Sequence, residues 1–201
     1  MAKVCLFTAT WFCLVFAGSF ELYEFYRTPG SQGVSLSSWP LASALVRAPT
    51  RNTLLVFLHS ECACSRATVA ELETLTPAFL AETEMQIIFY KPINANPDIK
   101  TSALWKRAET VHGAHVEVDL SGAEAARFGA RTSGQTYLYD RDGHLLFAGG
   151  LTPGRDHSGP SEGILALNSL LKHRASAPIV TTPTFGCPIS KQHLAQTMVK
   201  K

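Results

Sequence analysis

The sequence lacks a surplus of charge: 18 Lys and Arg stand against 16 Asp and Glu, a formal net charge of +2. A phosphate backbone is held by a far more basic balance. There is no basic run beyond Lys200-Lys201, no interleaving of aromatic and basic residues, and no internal repeat. These absences argue against a nucleic-acid binder and against a repeat array. Cysteine is also scarce, five residues in 201. So few thiols exclude a disulfide-stapled scaffold and leave a core of ordinary apolar packing. The hydrophobic fraction of 46% supplies one, enough for a single compact domain once the two ends are set aside.

The one long apolar run lies at the N-terminus. After Met1-Ala2-Lys3, the stretch "VCLFTATWFCLVFAGSF" (Val4–Phe20) carries no charge, and Tyr23, Phe25 and Tyr26 follow among Glu21, Glu24 and Arg27. Its length is short for a membrane anchor and long for the apolar part of a signal peptide. Residues 1–27 therefore read as an anchor, with a cleaved signal and secretion as the alternative. Lys3 and the amino terminus stay on the cytoplasmic side, which puts the remaining chain outside, in an oxidising, periplasm-like compartment. Cys5 and Cys13 lie inside the run and only pack. The exported part keeps Cys62, Cys64 and Cys187, an odd number, so one thiol at least is free, metal-bound or paired elsewhere.

Residues 28–50 are rich in Pro, Gly and Ser and read as a linker, with room for a short helix at 41–47. The domain expected at 51–174 opens with "TLLVFL", a continuous apolar run of strand length. Helical spacing in "SRATVAELETL", a buried strand at Met85–Tyr90, a helix near Thr101–Thr110 and the strand "HVEVDL" follow. "GAEAARFGA" reads as a short helix closed by Gly129. A hairpin turning at Arg141-Asp142-Gly143, a glycine-rich loop and a last helix, "EGILALNSLLKH", complete a βαβαβαββα order. Such alternation implies an α/β layer fold, parallel in its first part. A Pro- and Thr-rich tail at 175–201 carries Cys187 in "TFGCPIS"; its Phe185 and Pro188 point to docking rather than disorder.

Cys62 and Cys64 stand one residue apart in "HSECACSRAT" (59–68), directly after the first buried strand. Neither helical nor extended geometry brings residues i and i+2 to the Cβ separation a disulfide needs, so Cys62 belongs in a turn with Cys64 at the helix start. Amides at a helix N-terminus favour a thiolate there, Arg66 adds to that, and Glu61 opposes it. Such a pair can exchange disulfides or grip a soft cation such as Cu(I). His157, in the loop after the hairpin with Arg155, could deprotonate a thiol or complete a copper site with Cys62 and Cys64. Cys187 could resolve an intermediate, serve as a third ligand, or pair with another molecule. His59 reads as a packing or hydrogen-bonding residue.

The strand and cysteine turn "LLVFLHSECACS", with "FGARTSGQTYLYDRDGHLLFAGG" further on, resemble the thioredoxin-like superfamily over roughly residues 53–172. The Cys-x-Cys-Ser-Arg-Ala turn, "TSG", "LLFAGGLT" and the terminal "FGCP" are similar to membrane-anchored RedB-like proteins. The resemblance implies a thioredoxin-like fold, a central mixed sheet flanked by helices behind an N-terminal transmembrane helix. It implies a thiol–disulfide oxidoreductase with Cys62 attacking and Cys64 resolving, protein partners carrying thiols or disulfides, and no cofactor; copper belongs to the alternative. Two departures stand out. The second cysteine of Cys-x-x-Cys falls on Ser65, and Gly134 occupies the place of the family's cis-proline.

Overall fold

The computed structural model describes residues 2–93, 98–170 and 178–189. Helix α1 (Ala2–Arg27) is followed by strand β1 (Asn52–His59), helices α2 (Ala63–Leu72) and α3 (Pro77–Ala81), and strand β2 (Thr83–Lys91). Helix α4 (Ala103–Glu109), strand β3 (Ala114–Leu120), helix α5 (Ala123–Phe128), strands β4 (Gln135–Tyr139) and β5 (Leu145–Gly149), helix α6 (Glu162–Leu170) and strand β6 (Val180–Thr181) complete the chain.

Six strands form one sheet in the order β3-β2-β1-β4-β5-β6. β1, β2 and β3 run parallel; β4 is antiparallel to β1 and to β5, so β5 points the same way as β1. A βαβ unit (β1 to β2) and a ββα unit (β4, β5 and α6) thus join where β1 pairs with β4, in the middle of the sheet. This is the thioredoxin-like fold, and it puts the C-terminal ends of β1 and β5 on one edge.

The apolar run of β1 explains its central place. All six residues from Thr53 to Leu58 are buried. Leu54, Val56 and Leu58 pack on one face with Val69, Phe79, Trp105 and Leu167, drawn from α2, α3, α4 and α6. Leu55 and Phe57 pack on the other with Phe128 of α5, Tyr137 and Tyr139. Both layers depend on this strand, so truncating Phe57 to Ala would cost about 3–5 kcal/mol.

The stretch expected as a linker lies along the second face. Trp39 sits edge-on to Phe128 at 5.1 Å and to Tyr139 at 5.3 Å. Leu45 and Ala48 are buried. No helix forms at 41–47; Ser43 and Ala44 instead donate to the buried Glu124 carboxylate through Oγ at 2.6 Å and the amide at 3.1 Å.

Helix α1 lies outside this core, its C-terminal end meeting the loop after β5, where the Arg155 amide donates to the Tyr26 carbonyl at 3.0 Å. Its span Lys3–Arg27 has a mean hydropathy of 1.6, and its apolar window is 0% buried. Twenty-six residues give it a length of about 39 Å, enough to cross a bilayer. Its apolar side chains cover every side, as lipid requires and water penalises. Membrane anchor and signal peptide both fit this helix.

Candidate functional site

Strand β1 ends at His59, the chain turns through 60–62, and α2 starts at Ala63 with Cys62 as its N-cap in extended geometry (φ −90°, ψ 125°). Cys64 falls in the first helical turn. This is the placement expected from the spacing of the pair. Cys62 and Cys64 are only 3% and 4% exposed, whereas Cys187 is exposed.

Hydroxyl groups fasten the turn. Ser65 Oγ donates to the His59 carbonyl at 2.8 Å and lies 2.7 Å from Ser133 Oγ. The His59 amide donates to Ser133 Oγ at 2.9 Å. Ser65 and Ser133 are fully buried. At the position of thioredoxin's second cysteine, then, stands a hydroxyl that ties the end of β1, the start of α2 and the segment before β4 together. Ser133 escaped the sequence reading; its only signal is the "TSG" that precedes β4.

Gly134 follows with φ +93°. Its amide donates to the Phe57 carbonyl at 2.8 Å. Proline has neither that amide nor access to that φ, so this backbone does not accept a proline at 134. An added Cβ would also meet Thr68 Oγ1 at 2.9 Å.

The tail brings the third sulfur. Thr132 and Pro188 form an antiparallel bridge. The Ser133 amide donates to the Cys187 carbonyl and the Ile189 amide to the Arg131 carbonyl, each at 2.8 Å. Arg155 Nη1 donates to the Gly186 carbonyl at 2.7 Å. Gly186 is required by closeness: a Cβ there would lie 1.9 Å from the Ser133 carbonyl oxygen.

The three thiols bias one another's protonation. The hydrogen bond from the Cys64 thiol holds the Cys62 pKa well below the ordinary thiol range; burial opposes this, and the Cys187 thiol with the Cys187 and Ser65 amides reinforces it. Cys64 is raised by the hydrogen bond it gives to Cys62, by burial and by the Cys62 charge, while the Asp156 amide acts in the other direction. Burial, then the hydrogen bond to Cys62, raises Cys187, and Arg155 lowers it in part. The direction of these shifts favours the thiolate at Cys62 over Cys64 and Cys187.

Other expected residues lie further out. Arg66 is turned outward, 3.9 Å from Asp156, with its side chain 62% exposed. His157 is not joined to the thiols: its ring lies edge-on to Tyr26 at 5.1 Å, and Nδ1 is 2.6 Å from the Arg155 carbonyl. Its neighbour Arg155 reaches the site instead. His59 stacks on Tyr90 and accepts from the Glu61 amide at 3.2 Å. Among the described residues, no group of three or more His, Cys, Asp or Glu side chains is arranged to hold a metal ion.

No family model and no curated protein matches the chain. Solved structures do. An uncharacterized conserved protein from Geobacillus kaustophilus is 20% identical with a TM-score of 0.56, covering 82% of this chain and 92% of that one. A hypothetical protein from Sinorhizobium meliloti is 19% identical with a TM-score of 0.56, covering 81% and 93%. A secreted Mycobacterium tuberculosis disulfide oxidoreductase, described as homologous to DsbE of E. coli, is 14% identical with a TM-score of 0.41, covering 61% and 81%. At these identities the likeness is one of fold, and it extends over most of the chain.

Proposed function

We propose that the chain is a thiol–disulfide oxidoreductase in which Cys62 is the attacking thiol. The observation that carries this reading is the place of Cys62 as the N-cap of α2 at the end of β1, with Cys64 in the first helical turn and the Cys187 segment bound to Ser133 alongside. The helix start and the neighbouring thiols favour the thiolate of Cys62, and the thiolate is the nucleophile in exchange. Cys62 attacks a client disulfide, a mixed disulfide forms, and one client sulfur leaves as a thiolate. A second thiol then attacks Cys62 Sγ and releases the other client sulfur. By its place in the motif, Cys64 is that second thiol.

The clients are proteins carrying thiols or disulfides. Helix α1 holds the domain at a membrane, outside the cytoplasm, in the manner of the RedB-like proteins that the cysteine turn resembles. Lys3 at the head of the helix and the uncharged run behind it support that orientation.

The test is turnover of a peptide with a single disulfide by the full chain in detergent, with dithiothreitol as reductant and no metal added. Turnover above the dithiothreitol background, lost in Cys62→Ser, is the expected result. Equal rates with and without the chain would refute the reading.

A further inference from the structure

We infer that the resolving thiol is Cys187, carried on an exchangeable tail segment, and that the Cys62–Cys187 disulfide is the oxidised state of the site. This inference rests on the exchange reading above.

The first argument is the rigidity of the turn. Joining Cys62 to Cys64 would close a short, strained ring between an extended N-cap and the first turn of α2. Relief would require that turn to unwind. Ser65 opposes unwinding through its bonds to the His59 carbonyl and Ser133, and Thr68 Oγ1 donates to the Cys64 carbonyl at 3.0 Å. Cys64 is left as a fixed donor to the Cys62 thiolate.

Cys187 lies between the buried Phe185 and Ile189 on a segment outside α2, so its side chain can join Cys62 without unwinding that helix. Its backbone comes from a separate segment, held beside the site by the Ser133 amide and, through Gly186, by Arg155. It is the exposed member of the three, and Cys62 lies buried beside it. As the site stands, a client cannot touch Cys62. Displacement of the exposed stretch Cys187-Pro188, between the buried Phe185 and Ile189, admits the client, and its return puts a thiol where the client sulfur was.

The chemistry balances. In the mixed disulfide, Cys187 gives up its proton and its sulfur attacks Cys62 Sγ. The bond from Cys62 to the client breaks as the Cys62–Cys187 bond forms, and the client sulfur leaves with the electron pair and takes up a proton. One client disulfide has become two thiols, two chain thiols have become one disulfide, and Cys64 stays reduced throughout.

The experiment maps the disulfide in the full chain in detergent, oxidised with glutathione disulfide, alkylated and cut with trypsin. Cys62 and Cys64 share the fragment 52–66, and Cys187 lies in 175–191. The expected product joins these two fragments, persists in Cys64→Ser, and disappears in Gly186→Val, whose new side chain pushes the tail off Ser133. Gly186→Val is also expected to make Cys62 at least about tenfold faster to alkylate, since its cover is gone. A bond internal to 52–66 with Cys187 alkylated, or no bond at all, would overturn the inference. Peptide turnover, measured in parallel, keeps the two readings separate. The cross-link without turnover leaves the pairing standing and removes the exchange function, while turnover with the internal bond does the reverse.

Discussion

The turn after β1 and the C-terminal tail carry sulfur to the same point but are held there by different means. The turn is fastened by buried hydroxyls: Ser65 and Ser133 join three segments with bonds that water does not reach. The tail is seated by β6 on β5 and by buried Thr184, Phe185 and Ile189. Cys187 and Pro188 between them are exposed and held by backbone hydrogen bonds at residues 131 and 133, with Arg155 as an outer clasp. Buried bonds of the first kind are costly to break, and bonds at an exposed edge open locally at low cost. In the proposed exchange, the turn is the fixed side and the exposed Cys187-Pro188 stretch the side that gives way.

Three variants and one titration bear on this contrast, taken from the largest effect to the smallest. Gly134→Pro removes the amide that reaches Phe57 and demands the wrong φ. We expect a loss of about 3 kcal/mol or more in unfolding free energy, read from denaturant midpoints. Ser133→Ala leaves the His59 amide with only the longer contact to Ser65 Oγ at 3.3 Å. The expected loss is about 1–3 kcal/mol, and less than additive when combined with Ser65→Ala. A cost no larger than that of Arg155→Ala would erase the distinction between turn and tail.

The thiols make stability depend on pH in a defined direction. Cys62 is depressed, so its contribution in the reduced chain is present above the ordinary thiol range and is lost as pH falls through its folded value. Cys64 and Cys187 are raised, so they destabilise the fold as pH climbs past the ordinary range. The stability difference between the reduced wild type and a variant with all three replaced by Ser should therefore rise with pH and peak near the ordinary thiol value, about 8.5. A flat profile would show that the sulfurs do not interact. Arg66→Ala should be nearly silent, within about 0.5 kcal/mol, because its pairing with Asp156 is long and exposed.

Much of this was legible in local pattern. "TLLVFL" has no polar face to offer water, which forces the strand to the centre of the sheet, and a Cys-x-Cys turn at its end inherits the edge where α/β sites collect. The hairpin followed from Asp142-Gly143, and the short helix before it closes at Gly129. What stayed hidden depends on contacts distant in sequence. A Pro-, Gly- and Ser-rich composition marks 28–50 as a linker, but Trp39 and Leu45 find apolar partners there that no local pattern announces. The strand β6 is two residues long and pairs with β5 from the far side of α6. In the loop after β5, composition favours His157 over Arg155 as the chemical residue; Tyr26 turns the imidazole away, and the longer guanidinium reaches the tail.

The account stands on the charge state of one sulfur. Ultraviolet thiolate absorbance of the reduced full chain in detergent, titrated from acid to alkaline pH beside Cys62→Ser, reads it directly. One thiolate ionising well below the ordinary range in the wild type and missing from the variant is the predicted result. Cysteines that all titrate together in the ordinary range, with the two curves differing only by one late thiol, would contradict it.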